Sequence, residues 1–386
     1  MPVQKIAIEQ FLSLSREHPV LDVRSPGEYA HAHIPGAHSL PLFNDEERKI
    51  VGTTYKQQSR EAAIKIGLDY FGVKMKGMVE EVEKIVGSGQ WAVGNENAAA
   101  SELATGDWVL LHCWRGGMRS AAIAWLLDLY GFKVYLLVGG YKAYRKWVLA
   151  QFEKEYEFKI IGGYTGSGKT LLLRDLEKRG QTIIDLELLA DHKGSAFGAF
   201  GEKKQVRQEM FENLLAKELS LKSEVGSGQL AVGKGQPPPA NWQLATGNFI
   251  WLEDESQRIG NLQIPMPLWY TMRKCPVYFI DIPFEERLEY ITEEYGKFDK
   301  EQLAESIIRI QKRLGGLETK NAINHLLEND HKACFRILLT YYDKWYGKAL
   351  YNRENISALL NKIPCTGVDT AANTQKLLSC LTVASL

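Results

Sequence analysis

Two α/β domains in series, each built on a parallel sheet, are what the sequence predicts, and three observations carry that prediction. Short apolar runs alternate with helix-period segments through residues 1–150, the pattern of strands joined by helical crossovers. A second strand-like run, Phe158-Lys159-Ile160-Ile161, leads straight into a glycine-rich loop and restarts the alternation. The 386 residues also exceed the roughly 250–300 over which a single core keeps growing. The expected division is residues 1–150 and 155–386, the second part turning helical after about residue 284.

In the first domain Val20-Leu21-Asp22-Val23 reads as a strand that ends at the polar turn Arg24-Ser25-Pro26-Gly27. Val109 to His112 and Val134 to Val138 are two more strands, the last closed by Gly139-Gly140. Between them, Ser120 to Tyr130 has helical spacing and stops at Gly131, a helix-ending residue. Lys142 to Glu157 is an amphipathic helix leading out. In the second domain the strand runs are Phe158–Ile161, Thr182–Asp185, Phe249–Leu252 and Val277–Asp281, with Leu171–Lys178 helical. Glu285–Glu294, Lys300–Leu314, Asn321–Glu328 and Lys332–Leu350 follow as helices.

Two stretches repeat each other. Val86 to Trp108 and Val225 to Phe249 share VGSGQ, AVG and LATG in order, each between a helix-like segment and a strand. Related low-complexity insertions into tolerant surface loops, at about 86–106 and 225–247, are the favoured reading; a paired docking element is the alternative.

Composition bounds the function classes. Hydrophobic residues at 45% and charged residues at 24% exclude wholesale disorder. No apolar run reaches the roughly 18–20 residues that cross a bilayer, and the start, MPVQKIAIEQ, does not read as a signal peptide. The five cysteines are scattered without a C-x-x-C pair, which argues against a zinc ribbon or disulfide framework and for a reducing, cytoplasmic setting. Lys and Arg number 47 and Asp and Glu 47, so indiscriminate binding to nucleic acid through bulk charge is excluded. Residues 1–150 hold 17 basic and 16 acidic side chains, leaving 30 and 31, so neither domain is basic as a whole. Any nucleic-acid surface must be local.

The first chemical site is His112-Cys113-Trp114-Arg115-Gly116-Gly117-Met118-Arg119-Ser120, between a strand and a helix. A cysteine there meets unpaired backbone N–H groups and the helix dipole, and Arg115 and Arg119 add positive charge, so the thiolate is favoured. Gly116 and Gly117 let the amides turn inward as an anion cradle. The second is Gly163-Tyr164-Thr165-Gly166-Ser167-Gly168-Lys169-Thr170, which fits G-x-x-x-x-G-K-[ST] after a strand and before a helix. Gly163, Gly166, Ser167 and Gly168 shape a loop whose amides face phosphates, Lys169 reaches their oxygens, and Thr170 offers a magnesium ligand. Asp185, Glu253 or Glu255 could add a second carboxylate for that metal, and a strand end or helix cap is an equal reading of each.

Leu21-Asp22-Val23-Arg24-Ser25-Pro26-Gly27-Glu28-Tyr29, His33-Ile34-Pro35-Gly36-Ala37, the Cys113 loop and Leu137-Val138-Gly139-Gly140 together resemble a rhodanese domain. In that family the loop cysteine carries sulfur as a persulfide. One departure matters: Cys113 to Arg119 is C-x5-R, one residue longer than the usual sulfurtransferase loop and equal in spacing to cysteine-dependent phosphatases. Rhodanese resemblance alone therefore leaves chalcogen transfer and phosphate-ester cleavage open.

A wider set of motifs narrows this. With the Cys113 loop and the phosphate loop, Asp185-Leu186-Glu187, His192-Lys193-Gly194-Ser195-Ala196-Phe197-Gly198, Glu253-Asp254-Glu255-Ser256 and Glu293-Glu294-Tyr295-Gly296 resemble the bacterial tRNA 2-selenouridine synthases over roughly residues 5–350. The resemblance implies replacement of sulfur by selenium at C2 of the wobble 2-thiouridine of tRNA. By the same resemblance, the thiouridine is expected to be first S-geranylated from geranyl diphosphate, with selenium from selenophosphate then displacing the geranyl thiol. Cys113 is expected to carry selenium as a selenopersulfide, with Arg115 and Arg119 stabilising phosphate charge, and the phosphate loop to hold the donor's diphosphate. No tightly bound cofactor is expected, though magnesium could bind at Thr170; the resemblance implies a supply of selenophosphate, tRNA as partner, and neither membrane nor DNA.

Two competing readings remain: a rhodanese-fold cysteine phosphatase or general sulfurtransferase fused to a kinase-like phosphate-loop module, and a nucleotide-switched binding module. His31, His33 and His38 fit the rhodanese turn better than a metal site. Tyr341-Tyr342-Asp343-Lys344-Trp345-Tyr346 reads as a mixed core and surface helix face, with RNA contact as the alternative.

Overall fold

The computed structural model describes residues 3–88, 108–192, 205–226 and 249–383. Most of both repeat-bearing stretches, and Lys193 to Gly198 of the motif that begins at His192, lie outside the described residues. The chain divides into two compact units, Met1–Ala150 with Glu212–Leu214, and Gln151–Phe211 with Leu215–Leu386.

Among the described residues of the first unit, five strands form a parallel sheet in the order β1-β5-β4-β2-β3. They are β1 (Gln4–Ile6), β2 (Val20–Asp22), β3 (His38–Ser39), β4 (Trp108–His112) and β5 (Lys133–Leu137). The apolar runs read as strands are β2, β4 and β5. Strands β1 and β3 span three and two residues, too short to show a period. Leu21 and Val109 to Leu111 are fully buried, as the inner strands of a sheet covered on both faces require. Helices Asp45–Gln57, Arg60–Gly72 and Met75–Ser88 fill the long β3–β4 crossover, and Val79, Val82 and Val86 join Leu21, Ile123 and Leu127 in the core. The sheet's carboxyl edge carries the buried Arg24, which donates to both oxygens of Asp22 and to Ala32 O, its guanidinium 3.8 Å over the Tyr141 ring.

The second unit repeats the plan. Its described strands are β6 (Phe158–Gly162), β7 (Ile183–Ile184), β8 (Ile250–Glu253), β9 (Arg258–Ile259), β10 (Leu262–Gln263), β11 (Val277–Asp281) and β12 (Leu360–Pro364). Five run parallel in the order β12-β11-β6-β8-β7, while β9 and β10 form an antiparallel ribbon. With β6 in the middle, paired Ile160↔Val277 and Ile161↔Glu253, the glycine-rich loop leaves the sheet at its centre. Ligands of open parallel sheets bind at that carboxyl edge.

The C-terminal part departs from the expected helical run at two points. Helix Lys300–Arg309 breaks at Ile310 before Gln311–Leu314. After Leu359 the chain returns to the sheet as β12, parallel to β11, and helix Thr370–Val383 places Leu377 among Leu172, Leu173 and Leu176. An edge strand buries little of itself: in Leu360–Pro364 only Ile363 is buried, so no alternating signal marks it.

Candidate functional site

Cys113 follows β4 and precedes the helix Met118–Tyr130. Tyr141 N–H donates to Cys113 O (2.8 Å) and Lys142 N–H to Trp114 O (3.0 Å), so the loop's carbonyls are held from behind. This needs glycine at 140, where φ is +57° and a Cβ would lie 2.3 Å from Cys113 O. The Sγ accepts from Ser120 Oγ at 3.1 Å and from Gly117 N–H at 3.3 Å. Burial alone would push the thiol up. Ser120, with the amides of Arg115, Ser120 and Gly117, outweighs it and holds Cys113 below the ordinary cysteine range. These hydrogen bonds, rather than the arginine charges, are the leading causes of the lowering: Arg115 is exposed, and Arg119 Nη1 donates to Glu28 Oε2 at 2.7 Å. His33 stacks on Tyr29 with ring centres 4.0 Å apart, within the turn the sequence suggested.

The phosphate loop runs from Gly163 to the helix Lys169–Lys178. Gly166 has φ +80°, and a Cβ there would meet Ile291 Cδ1 at 2.7 Å, so only glycine fits. Neighbouring helices hold the loop's backbone. Gly163 N–H donates to Tyr346 Oη (3.1 Å), and the buried Arg287 donates to Thr165 O (3.0 Å) while gripping both carboxylate oxygens of Asp343. Tyr346 in turn donates to Asp254, which also pairs with Arg353. Lys169 Nζ lies 3.0 Å from Gly163 O, and Ser167 Oγ is buried without a hydrogen-bond partner.

Beside the loop, Glu187, Glu253 and Glu255 bring one oxygen each to within 4.8 Å of one another, and Thr170 Oγ1 donates to Glu187 at 3.2 Å. Glu253 is 2% exposed and its Oε1 has no hydrogen-bond partner. Burial, then the Glu187 charge, pushes its carboxyl up to about 8, and the same causes with Glu253 raise Glu255 well above the carboxylate range. An orphaned buried carboxylate among three acids and a threonine hydroxyl is a donor set suited to a hard divalent cation such as magnesium.

Of the three carboxylates singled out in the sequence, the structure brings Glu253 and Glu255 to this cluster. Asp185 does something else: it caps the helix Leu186–Ala190, accepting from Leu188 N–H at 2.8 Å, and pairs with Arg174. Glu187 takes its place. The cap reading carried the signal, since an N-cap at 185 puts position 187 in the first turn, beside Thr170. Tyr341 to Tyr346 form a mixed face of half-buried and exposed residues, as the sequence suggested. Tyr341, Tyr342, Trp345 and Tyr346 line a cavity of about 660 Å³ that contains Gly166, Lys169, Thr170 and the three glutamates.

A cysteine in an amide loop on one parallel sheet and a phosphate loop on another define a two-domain α/β enzyme of the rhodanese and P-loop kinds. A rhodanese-like family model matches residues 8–66, and one described as the tRNA 2-selenouridine synthase AAA domain matches residues 156–233 and 241–362. The chain belongs to the tRNA 2-selenouridine synthase family, enzymes of tRNA modification. The synthase of Bdellovibrio bacteriovorus HD100 is 32% identical over 92% of this chain and 95% of its own. That of Sulfurovum sp. NBC37-1 is 31% identical over 87% and 88%, and that of Pseudomonas syringae pv. tomato DC3000 34% over 88% and 90%. A solved N-terminal domain from Clostridium difficile 630, described as ATP/GTP-binding, is 38% identical over 38% of this chain and 99% of its own, with a TM-score of 0.31.

Proposed function

We propose that this chain replaces sulfur by selenium at C2 of the wobble 2-thiouridine of tRNA, using geranyl diphosphate and then selenophosphate. The observation that supports it is the presence of two separate anion cradles, one with a hydrogen-bonded cysteine and one with a lysine beside a carboxylate cluster. In the first step the thiouridine sulfur attacks C1 of geranyl diphosphate. The S–C bond forms, the C–O bond breaks, N3 gives up its proton, and diphosphate leaves onto the loop amides and Lys169. Thr170, Glu187, Glu253 and Glu255 are the residues that would hold magnesium, which when bound neutralises diphosphate charge.

In the second step electron balance decides which atom Cys113 attacks. Selenium in selenophosphate is already selenide, the state the product needs. A thiolate that took selenium itself would release phosphite and leave selenium oxidised. Attack on phosphorus forms S–P, breaks P–Se, and frees hydrogen selenide, which adds at C2 and expels geranyl thiol. Water then cleaves the phosphocysteine to phosphate. This reading replaces the expected selenopersulfide and suits the C-x5-R spacing, since loop amides and Arg115 would face the phosphate oxygens.

Mass spectrometry of tRNA nucleosides from a strain lacking the gene tests the assignment. Loss of both 2-selenouridine and its S-geranyl precursor is expected, and their persistence would overturn it. Phosphorus NMR of the reaction separates the second step: phosphate supports attack on phosphorus, and phosphite refutes it.

A further inference from the structure

The helices beside the phosphate loop carry an aromatic wall that the loop's phosphate chemistry does not use. Tyr290 and Tyr295 come from the helix Phe284–Tyr295, Phe298 from the turn after it, and Tyr341, Tyr342 and Trp345 from the helix His331–Tyr351. All six line the cavity that holds Gly166, Lys169 and Thr170. They pack edge to face or tilted, with ring centres 5.1 Å apart for Tyr341 and Tyr342, 6.4 Å for Tyr341 and Trp345, and 6.0 Å for Tyr295 and Phe298.

None of the six is buried, and Trp345 is 42% exposed. Clustered rings left partly wet inside a concavity mark a surface that an apolar ligand covers. Behind Tyr295 and Tyr342 lies a smaller recess lined by Ile291, Phe335, Leu338 and Leu339, with Thr165 its sole polar side chain besides the tyrosines. It holds about 20 Å³, the space of a water or a methyl group. A nucleobase at the end of a phosphate chain needs polar partners for its edge, and this recess offers few. A branched hydrocarbon needs none.

We propose that the aromatic wall binds the isoprenyl chain of an allylic diphosphate, its tail directed toward the Phe335–Leu338–Leu339 recess; this rests on the reading that the phosphate loop holds the diphosphate. The wall supplies chain-length selectivity. Each methylene buried on it contributes about 0.8 kcal/mol, so a ten-carbon chain gains several-fold per added carbon over a five-carbon one. The diphosphate supplies the anchor common to all donors.

The test uses the full-length protein, 2-thiouridine tRNA and geranyl diphosphate. Trp345→Ala is the first variant because its exposure makes folding insensitive to the change, and Trp345→Phe is the conservative control. Trp345→Ala is expected to raise the KM for geranyl diphosphate about tenfold. The inhibition constants of dimethylallyl diphosphate and inorganic diphosphate should hold steady, and Trp345→Phe should recover most of the loss. Equal changes for the long and short donors, or no change, would overturn the wall. So would a rise confined to the KM for tRNA, which marks an RNA-stacking face, or ATP competing in a Trp345-dependent way, which marks a nucleobase site. Failure of the underlying reading looks different: inorganic diphosphate would not compete, and Lys169→Ala would transfer geranyl normally.

Discussion

Arg119 Nη1 donates to Glu28 Oε2 at 2.7 Å, with both side chains largely covered. The pair joins the end of the cysteine loop to the short helix Pro26–His31 that follows β2. Although burial opposes it, the Arg119 hydrogen bond and charge hold the Glu28 carboxyl below its usual range. Glu28 thus fixes where the guanidinium stands before any substrate arrives.

Glu28→Gln should therefore lower the rate of selenation about tenfold while geranyl transfer proceeds at its normal rate. The stability loss, read by chemical denaturation, should be only about 1 kcal/mol, because the Gln amide oxygen still accepts from Arg119 and only the charge is lost. Equal loss of both half-reactions would remove Glu28 from the selenation site.

The two cradles should separate cleanly by mutation. Cys113→Ala is expected to abolish conversion of geranylated tRNA by selenophosphate and leave geranylation intact. Lys169→Ala should do the reverse to the first half-reaction. Single-turnover assays on each isolated step check both.

The hydrogen bonds to Sγ make a pH prediction. A thiol held below its ordinary value stays ionised as pH falls until that depressed value is crossed. Alkylation of Cys113 by iodoacetamide should then show a midpoint below the roughly 8.5 of a free cysteine. Ser120→Ala should move the midpoint upward. Peptide mapping distinguishes Cys113 from Cys334, which burial pushes up to about 12.

Arg287 ties Thr165 of the phosphate loop to Asp343 in the helix His331–Tyr351. Removing one partner leaves the other charge in a largely buried site, which costs about 3–5 kcal/mol. Arg287→Ala should lose stability on that scale in urea, and Asp343→Asn less, since the amide still accepts. Both should raise the KM for geranyl diphosphate through the shifted loop.

Magnesium should stabilise the folded chain through the carboxylate cluster. At a concentration of 100 times its dissociation constant, a ligand binding only the native state adds about 2.7 kcal/mol. Thermal melts with and without magnesium chloride should show the rise in wild type and lose it in Glu253→Gln. An equal rise in both would place the cation elsewhere.

Much of this protein was legible in one dimension. Strands β2, β4, β5, β6, β8 and β11 announce themselves as apolar runs because inner strands of a parallel sheet are buried on both faces. The two cradles are legible because each is a contiguous segment whose glycines, lysine or cysteine sit at set spacings. Edge strands β1, β3 and β12 were not, since a strand with at most one buried residue carries no period.

What lay beyond the sequence are the partners that meet from distant positions. That Asp185 caps a helix and Glu187 joins Glu253 and Glu255 depends on where β7 and β8 end side by side. That Arg119 answers to Glu28, across 91 residues, depends on the register of β2 with β4. The aromatic residues of 341–346 could be read as core or surface until the helix was set against the phosphate loop. Local sequence determined the elements and their reactive loops, because backbone preference and apolar period act over a few residues. Only tertiary structure decided which side chains stand opposite those loops, because burial and ion pairing are settled by strand order and helix packing.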